Sequence, residues 1–107
     1  IISMAQNIRV ERISENNELL SAAPCNAAEI VNVLWSLQDF KVTYPWLSTI
    51  DPYGLTYINS PQKQLYLEEL SRLALAVEAV QAQDAIGLFK NFITDTGTHQ
   101  YVRLTGD

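Results

Sequence analysis

The side chains able to do chemistry are few and far apart along the chain. His99 is the only histidine and Cys25 the only cysteine. A thiol and an imidazole can serve as nucleophile and base if the fold brings them together, since such pairs meet in space and not in sequence. The plainer reading makes Cys25 a small buried hydrophobe ahead of a helix and His99 a strand-surface residue. One His and one Cys fall short of the ligand set of an ordinary zinc site. The glycines stand alone at 54, 87, 97 and 106, with no phosphate-cradling Gly-rich loop and no GxSxG elbow. No catalytic residue, metal or cofactor is assigned on these grounds, and the chain reads as non-catalytic.

A second group of candidates lies in residues 44–62, YPWLSTIDPYGLTYINSPQ. Asp51, Tyr53 and Asn59 surround one turn. With His99 they could line a small-molecule pocket if the turn and the chain end converge. Asp51 more simply bonds the amides of its own turn. Glu68 and Glu69 hold adjacent helix positions, which do not face each other, so they read as a solvated face and not an acid/base couple. Six of the ten aromatic residues, Trp35, Phe40, Tyr44, Trp46, Tyr53 and Tyr57, fall in one stretch. They either pack a loop onto a sheet or expose the Trp and Tyr side chains favoured at interaction hot spots. His99, Tyr101 and Arg103 alternate on one strand face and would extend such a surface if that face is open. Under a helix, Tyr101 would be core and Arg103 would need a partner.

The elements that must position these groups are legible in part. NIRVERIS puts Ile8 and Val10 on one face and Ile13 on the other, which predicts a first strand, bulged or ending near Arg12. Residues 14–24 are ambiguous: Asn16-Asn17 could turn a hairpin into a strand ELLS, or the segment could be a helical turn. Asn26 and Glu29 match a capping box, and Ala27, Ile30, Val31, Leu34 and Leu37 follow it at helical spacing, which predicts a helix over 26–38. Asp51-Pro52-Tyr53-Gly54 fits a type I turn at each position. A short strand over 55–59 follows, then Ser60 as N-cap with Pro61 at the first helical position. Tyr66, Leu70, Leu73, Val77 and Val80 form an apolar stripe, widened by Leu67 and Ala74. A second stripe runs through Ala82, Ile86, Phe89 and Ile93, so a break is expected near 81–84 with Asp84 as N-cap. Gly97 suits a left-handed helix end, and HQYVRLT reads as the last strand, with Val102 and Leu104 inward. The sum is one small α+β domain, with three helices on a three- or four-stranded, mainly antiparallel sheet.

Composition narrows the partners. Twelve acids against seven scattered bases give a net charge of −5, which opposes binding to nucleic acid. No apolar run approaches the roughly 20 residues of a membrane-spanning helix. The opening IISMAQN lacks a signal-peptide pattern; Met4 is a candidate native start and residues 1–3 a candidate foreign extension. A lone cysteine suits a reducing compartment, so a cytoplasmic location is expected.

YPWLSTIDPYG followed by Thr56, Asn59 and Gln62, with aromatic and basic residues before Gly106-Asp107, resembles a family of small uncharacterised bacterial proteins. The resemblance covers about the second half of the chain and implies no particular activity. The sequence departs from that pattern at Leu55, where an acid is expected, and at Tyr57-Ile58, where a Phe usually precedes the Asn. Any role of an acid at 55 would be missing here. The leading expectation is a non-catalytic domain that binds another protein or its own copy, an immunity- or antitoxin-type inhibitor being one concrete form. Its interface candidates are Trp46, Asp51, Tyr53, Asn59, His99, Tyr101 and Arg103. The other two expectations are a small-molecule-binding protein or minor enzyme with a pocket near Asp51, Tyr53 and His99, and a domain self-associating through helices 61–80 and 84–95.

Overall fold

The computed structural model describes residues 5–107; the expectation for residues 1–3 and Met4 lies outside them. The chain folds as β1 (Ile8–Ser14), β2 (Leu19–Asn26), α1 (Ala28–Trp35), the single-turn α2 (Phe40–Thr43), a 3-10 turn at Leu47–Thr49, β3 (Leu55–Ile58), α3 (Ser60–Ala76), α4 (Val80–Asp95) and β4 (Gln100–Gly106). The four strands form one sheet in the order β2-β1-β4-β3, every pairing antiparallel. This is a small α+β domain with its helices on one face of the sheet.

The alternation of each strand decides that layering. Ile8 and Val10 of β1, Val102 and Leu104 of β4 and Ile58 of β3 are buried and pack with Ile30, Leu34, Leu70, Leu73, Ile86, Phe89 and Ile93 from the helices. The residues between them in sequence point to the other face. Ambiguous residues 14–24 take the hairpin form. Asn17 adopts φ 65°, a left-handed conformation Asn tolerates, and the Ser14 hydroxyl accepts from the amides of Asn16 and Glu18. β2 then runs on to Asn26, well past ELLS. The bulge or early end expected in the first strand is not found there. β1 pairs with β4 in unbroken register from Ile8 to Ser14. The shifts against β2 between Arg9 and Glu11 and between Arg12 and Ile13 place the extra residues on β2, and Ile13 simply lies on the face opposite Val10.

Four other local expectations are corrected. Asn26 does not build a capping box. Its Oδ1 accepts from Ala28 N and also from Ile8 N across the sheet, Glu29 stays exposed, and α1 covers only Ala28–Trp35. The break between the long helices falls at 77–79, not 81–84, and Asp84 caps nothing there. Val77 turns extended, and the Gln83 amide donates to the carbonyls of Ala74 and Val77, sealing the end of α3 from the next helix. The N-cap of α3 is Asn59 and not Ser60, which shifts Pro61 to the second helical position, still within the opening turn. Gly97 has no positive φ. The end of α4 is closed without a left-handed glycine: Thr96 N donates to Ile93 O and Arg12 to Phe92 O within the last turn, and Lys63 Nζ donates to the carbonyls just past the helix, Thr96 O at 3.0 Å and Gly97 O at 2.8 Å. Cations suit a helix C-terminus; burial, then the nearby charge of Arg12, lowers the Lys63 pKa.

Candidate functional site

Asp51–Gly54 makes the expected reversal. Asp51 Oδ1 accepts from Tyr53 N at 2.9 Å and Asp51 N donates to the Thr56 hydroxyl. The turn is then pressed against the chain end: Gly106 N donates to Gly54 O at 2.8 Å, and a Cβ on Gly106 would sit 2.2 Å from Pro52 O. The special residues around IDPYG therefore have a structural occupation. Tyr53 is left exposed beside them.

The aromatic stretch divides in two. Tyr44 is buried, and Trp35, Phe40 and Trp46 lie partly buried against the core, Trp46 with its ring centroid 6.1 Å from that of Tyr66. What holds this loop is Glu69, which corrects its reading as part of a solvated face. Glu69 is 3% exposed, and its carboxylate accepts from the backbone amides of Trp46 and Leu47 at 3.0 and 2.9 Å. Those amides open the 3-10 turn and have no helical acceptor. Burial raises the Tyr66 phenol, the neighbouring Glu69 charge adding to it, although Tyr66 shares a hydrogen bond with Thr49. Trp46 thus belongs to the packing of the loop.

Tyr53 and Tyr57 go the other way. Along β3 the pattern is exposed–buried–exposed–buried, which leaves Leu55 and Tyr57 on the sheet face opposite the helices. Tyr57 pairs with Arg103, and Ile13 with Tyr101, across strands, so Tyr101 and Arg103 share that face. Among the described residues no helix lies over it. Its centre is a polar network: Glu11 Oε1 accepts from Arg103 Nε at 3.0 Å and from the Thr105 hydroxyl at 2.7 Å. Burial works against the Glu11 charge, but these two bonds and the Arg103 charge outweigh it, and the carboxyl titrates below its usual range. Apolar side chains flank the network at both edges, Leu19 at 58% exposure on β2 and Leu55 at 53% on β3.

At the end of this face lies a cleft of about 260 Å³ lined by Ile13, Ser14, Glu15, Asn17, Tyr57, Asn59, Gln62 and Tyr101. It sits where the β1–β2 turn, the start of β4 and the first turn of α3 meet. Of the interface candidates it gathers Asn59 and Tyr101. His99 stands on its rim, with Nδ1 2.8 Å from Glu15 Oε1. Asp51 and Tyr53 are at the opposite end, beside Gly106, with the length of β4 between, about 20 Å of strand. The pocket combining Asp51, Tyr53 and His99 is therefore not assembled. Nor is the Cys25–His99 pair: Cys25 precedes Asn26, which faces Arg9 at the start of β1, whereas His99 meets Glu15 just past its end. Burial also raises the Cys25 thiol, which keeps it protonated and weakly nucleophilic. Among the described residues no three His, Cys, Asp or Glu side chains are grouped to hold a metal ion, and no helix is long and apolar enough to cross a membrane.

Ser14, Glu15, Asn17 and Gln62 were not singled out as site residues by sequence reasoning. Asn59 and Gln62 carry the three-residue spacing of a capping box, and that signal would have tied Gln62 to Asn59 in advance. Comparison of the chain with protein-family models, with curated proteins and with solved structures finds no match in any of the three.

Proposed function

We propose that this is a non-catalytic, cytoplasmic protein-binding domain whose docking surface is the uncovered face of its sheet. The observation that carries this reading is the pairing of exposed apolar side chains, Leu19, Leu55 and Tyr57, with the fixed Glu11–Arg103 network between the two edges. A sheet face rimmed by Leu and Tyr around the bonded Glu11–Arg103 pair offers a partner apolar anchors, and Arg9, exposed on the same face opposite Thr105, leaves one cation there for the partner to meet. The net charge of −5 favours approach to basic partners and suits an inhibitor of the immunity or antitoxin type. The single unpaired cysteine supports the cytoplasmic setting. The stripes that would pair α3 and α4 with a second copy instead face this chain's own core, through Tyr66, Leu70 and Leu73 and through Ile86, Phe89 and Ile93.

The test is a double substitution, Leu19→Lys with Leu55→Lys. Both sites are exposed, so stability should stay within about 0.5 kcal/mol of the parent. A partner retained from native-host extract by the parent chain should be lost by the variant. Undiminished retention by the variant, or loss on replacing the distant Leu75 instead, would refute the reading.

A further inference from the structure

The two edges of the sheet are built differently. On β2, Pro24 has no N–H to donate, and two register shifts against β1 break the line of the strand. Both features keep an edge from adding further strands. β3 has neither. Residues 54–58 read GLTYI, with no charge and no proline, and their pairing with β4 shows no shift.

Antiparallel ladders alternate between hydrogen-bonded and non-hydrogen-bonded pairs, and two bonds set the phase here. Gly106 N donates to Gly54 O on one side of β4, and Asp107 N donates to Asn7 O on the other. Followed along both registers, residues 102, 104 and 106 turn their N–H and C=O groups toward β3, where 58, 56 and 54 meet them. Leu55 and Tyr57 therefore turn theirs outward. No hydrogen bond among the described residues engages these four groups. The flanking amides are occupied, Asp51 N by the Thr56 hydroxyl and Asn59 N by Gln62 Oε1. The side chains of Leu55 and Tyr57 are exposed as well.

We infer that the β3 edge pairs with the β3 edge of a second copy of this chain, antiparallel about a two-fold axis at Thr56. That register sets Leu55 opposite the second copy's Tyr57, and Tyr57 opposite its Leu55. Each outward N–H then meets an outward C=O, and four backbone bonds close the seam. The same pairing lays each leucine beside a tyrosine, an apolar–aromatic cross-strand contact. Such reciprocity is what a two-fold contact requires. A basic strand from another protein would find the same backbone groups but no acid along 54–58 to match its charge. Two copies at −5 each repel at long range, yet no charged side chain belongs to the seam, so salt relieves the repulsion without weakening the contact. The seam joins two open faces edge to edge and leaves both uncovered, so it goes beyond the docking role proposed above without occupying that surface.

Sedimentation equilibrium from about 10 µM to 1 mM should show monomer and dimer with a Kd on the order of 0.1 mM, as suits a contact smaller than the usual specific interface. Raising NaCl from about 0.05 to 0.5 M should tighten it at least about threefold. Over the same protein range, hydrogen exchange of the Leu55 and Tyr57 amides should slow while that of Gly106 stays constant. Leu55→Pro removes an outward N–H and leaves the β4 ladder intact; with an unchanged melting temperature it should dimerise at least about tenfold more weakly. Leu19→Lys, on the open face away from the seam, and Leu75→Lys, on α3, should dimerise as the parent does. A chain still monomeric at the highest concentration, a dimer that survives Leu55→Pro or is lost with Leu75→Lys, or protection of the two amides that ignores concentration would overturn the inference. If Leu55→Pro fails to fold, Tyr57→Lys replaces it, because Tyr57 is exposed, and must show the same loss. Failure here leaves the docking face standing, since Leu19 and the Glu11–Arg103 pair take no part in the seam.

Discussion

Glu69 shows what a single carboxylate does in this chain. Removed from water, it replaces its hydration with two backbone amides that otherwise have no acceptor, and so fastens the loop carrying Trp46 to α3. Glu69→Ala should therefore cost about 2–4 kcal/mol, since two buried donors are stranded at once, and urea unfolding measures it. A loss below about 0.5 kcal/mol would place Glu69 among ordinary surface positions. Glu11 makes a pH-dependent contribution. Its carboxyl is lowered in the fold, so the folded state binds fewer protons than the unfolded chain. The stabilisation is present in full above the unfolded value of about 4.3 and is lost as pH falls through the lower folded value. Glu11→Gln should flatten the stability profile across that acid window while lowering stability at neutral pH, as chemical denaturation at a series of pH values would show. None of this was visible in sequence: Glu68 and Glu69 look alike there, and only the path of the loop over α3 separates them.

The elements themselves were largely legible, because their signals are local. Alternation in Leu55–Ile58, the Asp-Pro-Tyr-Gly turn and the Ala82–Ile86–Phe89–Ile93 stripe each describe a few neighbouring residues, and each is realised. Errors cluster at element ends, where distant side chains replace local caps. Lys63 and Arg12 close α4 in place of Gly97, and Ile8 shares the Asn26 oxygen that a capping box would have placed otherwise. Gly106 is the sharpest such case. Its Cβ would collide with the Pro52 backbone, a neighbour that cannot swing aside as a side chain can. Gly106→Ala should thus destabilise by roughly 1–3 kcal/mol, whereas Gly87→Ala, in the interior of α4 with nothing within 4 Å, should stabilise by up to about 1 kcal/mol. Thermal melts of the two variants shifting in opposite directions would bear this out; equal shifts would contradict it.

At a Cα radius of gyration of 12.9 Å, close to the ~13 Å of a single domain of this length, the chain has room for one core and one layer of helices. That leaves one sheet face over, and the order β2-β1-β4-β3 decides which side chains share it. Sequence could place Tyr101 with Arg103, and Leu55 with Tyr57, but not one pair beside the other, since strand order is a property of the assembled sheet. The candidate face was therefore only half foreseeable: its members were in view, while Leu19, Glu15 and Gln62 joined them through topology. The most direct check is site-specific photo-cross-linking of the complex, with benzoylphenylalanine placed in turn at positions 19, 55 and 75. Positions 19 and 55 on the sheet face should both form adducts with the same partner, and position 75, 90% exposed on α3, should form none. Adducts from position 75 with none from 19 or 55 would contradict the assignment of the open sheet face as the docking surface.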